Sequence, residues 1–166
     1  KEKGGKMVKV ELDILNWMQE NFQSSFMDGV MPFVTKLGNS GMIWILLGII
    51  LIIIPRTRKT GLTVIVALLL ELITCNLILK PLIARTRPCD LVNGINLLIS
   101  KPTDFSFPSG HTASSFAATF ALFFRKNKMW IPSFVLSLLI GFSRLYLYVH
   151  FPTDVIGGAI IGIILG

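Results

Sequence analysis

Between Ser143 and Asp154 the chain reads Ser-Arg-Leu-Tyr-Leu-Tyr-Val-His-Phe-Pro-Thr-Asp, which sets Arg144, His150 and Asp154 into an otherwise apolar region. Ionisable residues inside such a run are costly and mark a functional site by default. Here a cation, a candidate nucleophile and a carboxylate able to orient it arrive together. Pro152 argues against a helix running through His150 and suits the first turn of a new one. Asp154 then falls in that turn, where it can accept a hydrogen bond from one ring nitrogen of His150 and leave the other free to attack. Arg144 lies about two turns earlier and faces the same cavity if its helix leads into it. An interfacial His with a capping Asp is the plainer reading, but it leaves Arg144 unexplained.

Two further clusters share this chemistry. Lys80 and Arg87 are seven residues apart, so a helix through both returns them to almost one face, where they can clamp one anion. Snorkelling cations at a helix end are the plainer reading, and the one assigned to Arg85. Pro108-Ser109-Gly110-His111 stands directly before an apolar run. Ser109 can cap that helix while the amides of Gly110 and His111 point out of its positive end as an anion site, with glycine allowing close approach. A cap followed by a surface His explains the same tetrapeptide.

The elements that must position these clusters lie in a membrane. The 166 residues are 52% hydrophobic and 15% charged, with a mean hydropathy of +0.70, far more apolar than a soluble domain of this length needs. The net charge of +7 is spread in short clusters between apolar runs and forms no basic face, so the expected partners are anionic phosphates and lipid headgroups of the bilayer, not nucleic acid. Cys75 and Cys89 make neither a disulfide framework nor a metal pattern and read as packing residues. Residues 1–6 read as a tag-like or solvated tail, followed by an acidic, amphipathic stretch instead of a signal-peptide core, and 7–166 as a single membrane-embedded domain.

Along that domain, Val10, Ile14, Trp17, Met18, Phe22 and Phe26 recur at helical spacing with acidic and polar residues between them. This predicts an interfacial helix or one on the rim of a bundle, and not a span. A short piece broken near Pro32 follows to Leu37. Spans are then expected at Gly41–Ile54, with Asn39 and Ser40 as caps, at Gly61–Leu79, Thr112–Phe124 and Trp130–Tyr148, and from Pro152 onward. The basic loops Arg56–Lys59 and Arg125–Lys128 are two spans apart and share one side, which the positive-inside rule makes cytoplasmic. All three polar clusters then face the outside. Glu71 and Asn76 fall within a span, Glu71 as either an interhelical contact or part of the site. Trp17, Trp44 and Trp130 read as interface anchors, and Tyr146 and Tyr148 as cavity or interface residues.

Taken in order, Lys-x6-Arg-Pro, Pro-Ser-Gly-His and Ser-Arg-x5-His-x3-Asp, spanning Lys80 to Asp154, closely resemble the three signature motifs of the type 2 phosphatidic acid phosphatase family. That family is related in its site to the vanadium haloperoxidases. The resemblance implies an all-α transmembrane bundle, here about five spans plus the N-terminal amphipathic helix, which stands where bacterial members usually carry a first span. It implies that His150 takes the phosphoryl group as a phosphohistidine and that Asp154 holds its tautomer. His111 serves as general acid and then base, and Lys80, Arg87, Arg144, Ser109 and the amide of Gly110 hold the phosphoryl oxygens. The three cations supply the positive charge, so neither a metal nor another cofactor is expected. The expected activity is a multi-pass, cell-membrane lipid phosphatase with its site on the extracytoplasmic face. Undecaprenyl diphosphate is the first candidate substrate, then phosphatidylglycerol phosphate or phosphatidate. Residues 89–107 would form a partly apolar lid or entrance. Transfer of the phosphoryl group to a second lipid, or a non-enzymatic membrane-interaction role, are the alternatives left open.

Overall fold

The computed structural model describes residues 2–92 and 94–166, with side chains from residue 5 onward; within these the chain is helical, without strands. α1 (Glu2–Phe22) runs through most of the expected tail, of which Lys1 lies outside the described residues. Its apolar stripe points outward, with Val10, Ile14 and Trp17 all well exposed, while Glu11, Leu15 and Met18 are buried. Polar side chains on the inner side tie it down: Gln19 Nε2 donates to the Tyr146 carbonyl at 2.6 Å, and the Tyr148 hydroxyl donates to Asn16 Oδ1 at 2.7 Å. A helix with its polar side on protein and its apolar side outward suits a lipid surrounding.

α2 (Ser25–Leu37) starts at Ser24, whose Oγ accepts from the Met27 amide at 3.3 Å, and it continues through Pro32 without the expected break. A single 3₁₀ turn, Asn39–Gly41, leads into α3 (Met42–Ile53). Asn39 and Ser40 do not cap α3. Its N-cap is Gly41, Ser40 adopts a left-handed conformation, and the Asn39 side chain bonds His111 instead. α4 (Arg58–Glu71) passes into a π-helical stretch, Leu72–Leu79, and then the short α5 (Lys80–Ile83) and α6 (Pro88–Leu91). π-helical segments recur at functional sites, and this one ends at Lys80.

By length and composition, Arg58–Leu91 suffices to cross a membrane, as does Ser25–Ile53 if its two helices count as one across their 46° bend. α8 (Trp130–Tyr146) and α9 (Pro152–Leu165) are apolar but shorter. α7 (Gly110–Phe124) lies between them and is buried on nearly every side from Thr112 to Thr119. The start of α7 and the far end of the α4–π run lie at one end of the bundle, opposite Arg58 and Arg125.

The tightest contact joins α7 to α9. Without a strong hydrophobic drive between helices in lipid, small residues allow the close packing that holds them together. A Cβ on Gly158, Gly162 or Gly166 would stand 2.6, 2.4 and 2.5 Å from the carbonyl oxygens of Ser109, Ala113 and Ala117. Ile156, Ile160 and Ile164, on the other side of α9, are exposed. The Trp44 side chain is not an interface anchor: it is 2% exposed, and its Nε1 donates to Ser115 Oγ at 3.0 Å, pinning α3 to α7.

Replacing Gly162 by Val should push the two helices apart and cost at least about 1–3 kcal/mol by overpacking, while Ile160→Val on the exposed side stays near the parent. Thermal unfolding of both variants in detergent checks this, and equal melting points would refute the contact.

Candidate active site

A cavity of about 560 Å³ opens at the end of the bundle where the three motifs converge, lined by Lys80, Arg87, Gly110, His111, Arg144 and His150. Leu97, Leu98 and Ile99, from the loop expected to form an entrance, make part of its wall. Ser109 and Asp154 are fully buried behind it. Ser109 occupies the N-cap position of α7 without making a cap bond: its Oγ accepts from Thr112 Oγ1 at 3.0 Å, and its amide donates to the Asp154 carbonyl at 3.1 Å. Its amide thus joins the start of α7 to α9, and its side chain lies behind the residues that line the cavity.

Lys80 and Arg87 converge, though not by helical periodicity. α5 ends at Ile83, Ala84 is left-handed, and the chain turns before Arg87. Both cations bond one residue that the motifs do not include: Lys80 Nζ pairs with Asp104 Oδ2, and Arg87 Nη2 donates to Asp104 Oδ1 at 2.8 Å. Partial burial raises the pKa of the Asp104 carboxyl, but Lys80 and Arg87 outweigh it and hold it at about 2. Arg144, in the last turn of α8, donates from Nη1 to Thr35 Oγ1 at 2.6 Å, and its buried Nε has no partner.

Arg87 Nη1 stands 3.0 Å from His150 Nε2, which identifies Nε2 as the ring nitrogen that accepts. Nδ1 faces Asp154 Oδ2 at 3.5 Å, too long for a formed hydrogen bond but close enough for the charge to orient the ring. Burial pushes the His150 pKa down to about 3; Asp154 pulls the other way, and Arg144 and Arg87 add to the depression. The imidazole is thus neutral at physiological pH, with a lone pair on Nε2. On the facing wall His111 Nε2 meets Asn39 Oδ1 at 2.8 Å. A Cβ on Gly110 would stand tightly against Asn76 Oδ1, at 3.1 Å. Among the described residues, no three His, Cys, Asp or Glu side chains converge as a metal site.

A family model of the PAP2 superfamily matches residues 60–166, which include all three motifs. The chain belongs to the PAP2 superfamily. It is 36% identical to an undecaprenyl-diphosphatase of Sulfolobus acidocaldarius, over 84% of this chain and 68% of that one. Among solved structures it is similar to LpxE of Aquifex aeolicus, with a TM-score of 0.77 and 32% identity over 93% of this chain and 90% of that one. It is also similar to the transmembrane PAP2-type phosphatidylglycerolphosphate phosphatase of Bacillus subtilis, with a TM-score of 0.75 and 26% identity over 99% of this chain and 83% of that one.

Beyond the PAP2 motifs, Arg85 is not a snorkelling cation. Its guanidinium donates to Asp154 Oδ1 at 2.5 Å, pairs with Glu11 of α1 and lies 4.1 Å over the Phe151 ring. Glu11 also accepts from the amide and hydroxyl of Thr153, at 3.1 and 2.6 Å. Asp154 Oδ2 in turn accepts from Ser106 Oγ and from the Phe151 amide at 2.9 Å. The Asp154 carboxylate is therefore held by Arg85, Ser106 and the Phe151 amide, and Arg85 ties it to Glu11 of the N-terminal helix. A buried acid in an amphipathic helix was the only sequence signal for Glu11, and nothing distinguished it from Asp13 or Glu20. Tyr146 and Tyr148 line no part of the cavity; their rings are buried and their hydroxyls bond Asp28, at 2.5 Å, and Asn16.

Arg85→Gln strands two buried carboxylates, whereas Glu11→Gln leaves Arg85 paired with Asp154. The first should cost about 3–5 kcal/mol, the range for breaking a buried ion pair, and the second distinctly less. Melting points in detergent measure both, and a larger loss in Glu11→Gln would contradict this network.

Proposed function

We propose that the chain is a lipid phosphatase acting through a phosphohistidine. The observation that carries this is the single cavity lined by two histidines and by Lys36, Lys80, Arg87 and Arg144 against one carboxylate, Asp104, where an anionic phosphoryl group would be drawn in and its developing charge stabilised. His150 Nε2 attacks phosphorus as the bond to the leaving oxygen breaks, and His111 supplies the proton to that oxygen. His111 enters this step as the imidazolium, a state that the bound phosphate dianion favours, and gives up the Nε2 proton now directed at Asn39 Oδ1 to become neutral imidazole. In the second half His111 accepts a proton from water, the water oxygen bonds to phosphorus, and the N–P bond breaks to release phosphate.

An apolar groove of about 610 Å³ supports the lipid class. It shares Lys80, Gly110 and His111 with the cavity and passes Ile45, Ile65, Leu68 and Leu72 of α3, α4 and the π stretch. A phosphate held in the cavity leaves its tail free to run along that groove. Lys36, exposed at the cavity mouth on α2, suits the second phosphate of a diphosphate. The name of the Sulfolobus acidocaldarius relative supports the same choice, undecaprenyl diphosphate ahead of phosphatidylglycerol phosphate and phosphatidate. The site lies at the end of the bundle away from the basic loops, and by the positive-inside rule it faces the outside. About five spans, with α1 at the interface, complete this reading.

Phosphate release in EDTA from undecaprenyl diphosphate and phosphatidate, offered separately, tests it. Release by the parent and its loss in His150→Ala are expected, and full activity in the variant would remove His150 from the chemistry. Lys36→Ala should raise KM for the diphosphate several-fold and leave that for phosphatidate near the parent value, as expected for one lost charge-assisted contact. An equal rise for both lipids would count against the diphosphate preference.

A further inference from the structure

The Asp104 carboxylate binds the two motif cations much as a phosphoryl group would. One oxygen takes Lys80 and the other takes Arg87. A guanidinium has five N–H groups, and the contacts of Arg87 account for all of them. Nε donates to the Asp104 carbonyl at 2.8 Å, and Nη1 to the Val149 carbonyl at 2.6 Å and toward His150 Nε2. Nη2 donates to the Asp104 carboxylate and to the Phe105 carbonyl at 3.2 Å. A phosphoryl oxygen that is to bind Arg87 must displace one of these partners, and the carboxylate is the one able to leave. The side chains of Lys80 and Arg87 are 10% and 3% exposed, whereas that of Asp104 is 52% exposed, on the loop that joins α6 to α7.

We propose that Asp104 is a specificity-determining residue, a resident anion that a terminal phosphate displaces and a phosphodiester does not. This rests on reading the cavity as a phosphatase site. The physical reason is a comparison of charges. A phosphodiester headgroup carries one negative charge, so exchanging it for the carboxylate gains little. A terminal phosphate carries about −1.5 to −2 at neutral pH and three free oxygens, so the exchange favours it. In a bilayer, where phosphodiesters vastly outnumber terminal phosphates, that difference keeps the clamp from filling with ordinary headgroups.

The test compares parent and D104N for inhibition of phosphatidate hydrolysis by orthophosphate and by dimethyl phosphate, a soluble monoanionic diester. The parent should favour orthophosphate strongly, and D104N should bind dimethyl phosphate about tenfold more tightly, narrowing the preference. Unchanged inhibition constants in a D104N that still hydrolyses phosphatidate would overturn the proposal. So would a fall in kcat alone, which would make Asp104 part of the scaffold. Should D104N not fold, the loop can be read in the parent background through a bimane fluorophore at T103C, with Cys75 and Cys89 replaced by Ser. Orthophosphate should change its emission and dimethyl phosphate at the same concentration should not; equal responses, or none to orthophosphate, would refute the displacement. A parent that releases phosphate from no lipid would instead defeat the functional reading beneath it.

Discussion

The active site depends on how closely α9 lies against α7. Three glycines spaced four apart, Gly158 and Gly162 of α9 and Gly166 at its end, bring no Cβ of their own into the contact and let their backbone lie on the carbonyls of Ser109, Ala113 and Ala117. In lipid this proximity has to come from packing, since the tails offer apolar surface as good as another helix. Its consequence appears one turn further on. The Ser109 amide reaches the Asp154 carbonyl, and so the start of α7, with Gly110 and His111, is registered against the start of α9, with His150 just before it. His111 at the start of α7 and His150 just before α9 face one cavity because backbone touches backbone beneath them.

Charge governs the next layer. Burying Lys80, Arg87 and Arg144 near one another is unfavourable unless each finds partners. The fold supplies backbone carbonyls at Arg87, Thr35 at Arg144 and the Asp104 carboxylate at Lys80, and leaves the Nε of Arg144 unpaired. His150 is kept neutral by this surrounding, while Asp154 beside it is held by another set of donors, Arg85, Ser106 and the Phe151 amide. Arg85 separates the two sets: it faces away from the cavity and joins the Asp154 carboxylate to Glu11. The N-terminal helix thus reaches Asp154 through a buried ion pair, although none of its described residues lines the cavity.

Much of this was legible before any coordinates. Lys80, Arg87, Gly110, His111, Arg144 and His150 were all marked by ionisable or special residues in apolar surroundings, and all six line the cavity. The helices of the apolar runs were also legible, because continuous apolar runs ended by basic loops need no tertiary information. The errors share a cause. Lys80 and Arg87 meet across a left-handed turn at Ala84, not along a helix, and periodicity cannot see a turn that lacks glycine. Ser109 looks like a cap, yet its hydroxyl bonds Thr112 within α7 and its amide reaches α9. Arg85 and Trp44 resembled generic membrane-interface residues because their type is common there; only the partners Glu11, Asp154 and Ser115, distant in sequence, distinguish them. Asp104 lies in a loop with no pattern at all.

These residues also explain why the site tolerates its own charge. Glu71, buried where α4 passes into the π stretch, has an oxygen without a partner and lines the apolar groove, not the cavity, so it does little to neutralise the cations. Among the described residues, Asp104 is then the only carboxylate on the cavity wall, set against four cations. A wall so unbalanced holds its positive potential in a low-dielectric setting, where it acts on a phosphoryl group far more strongly than it would in water. With more acids the cavity would be easier to fold but would attract phosphate less. The arrangement instead places its surplus of stability elsewhere, in the α7–α9 contact and the Arg85 network, and leaves the cavity to be balanced by the anion that binds there.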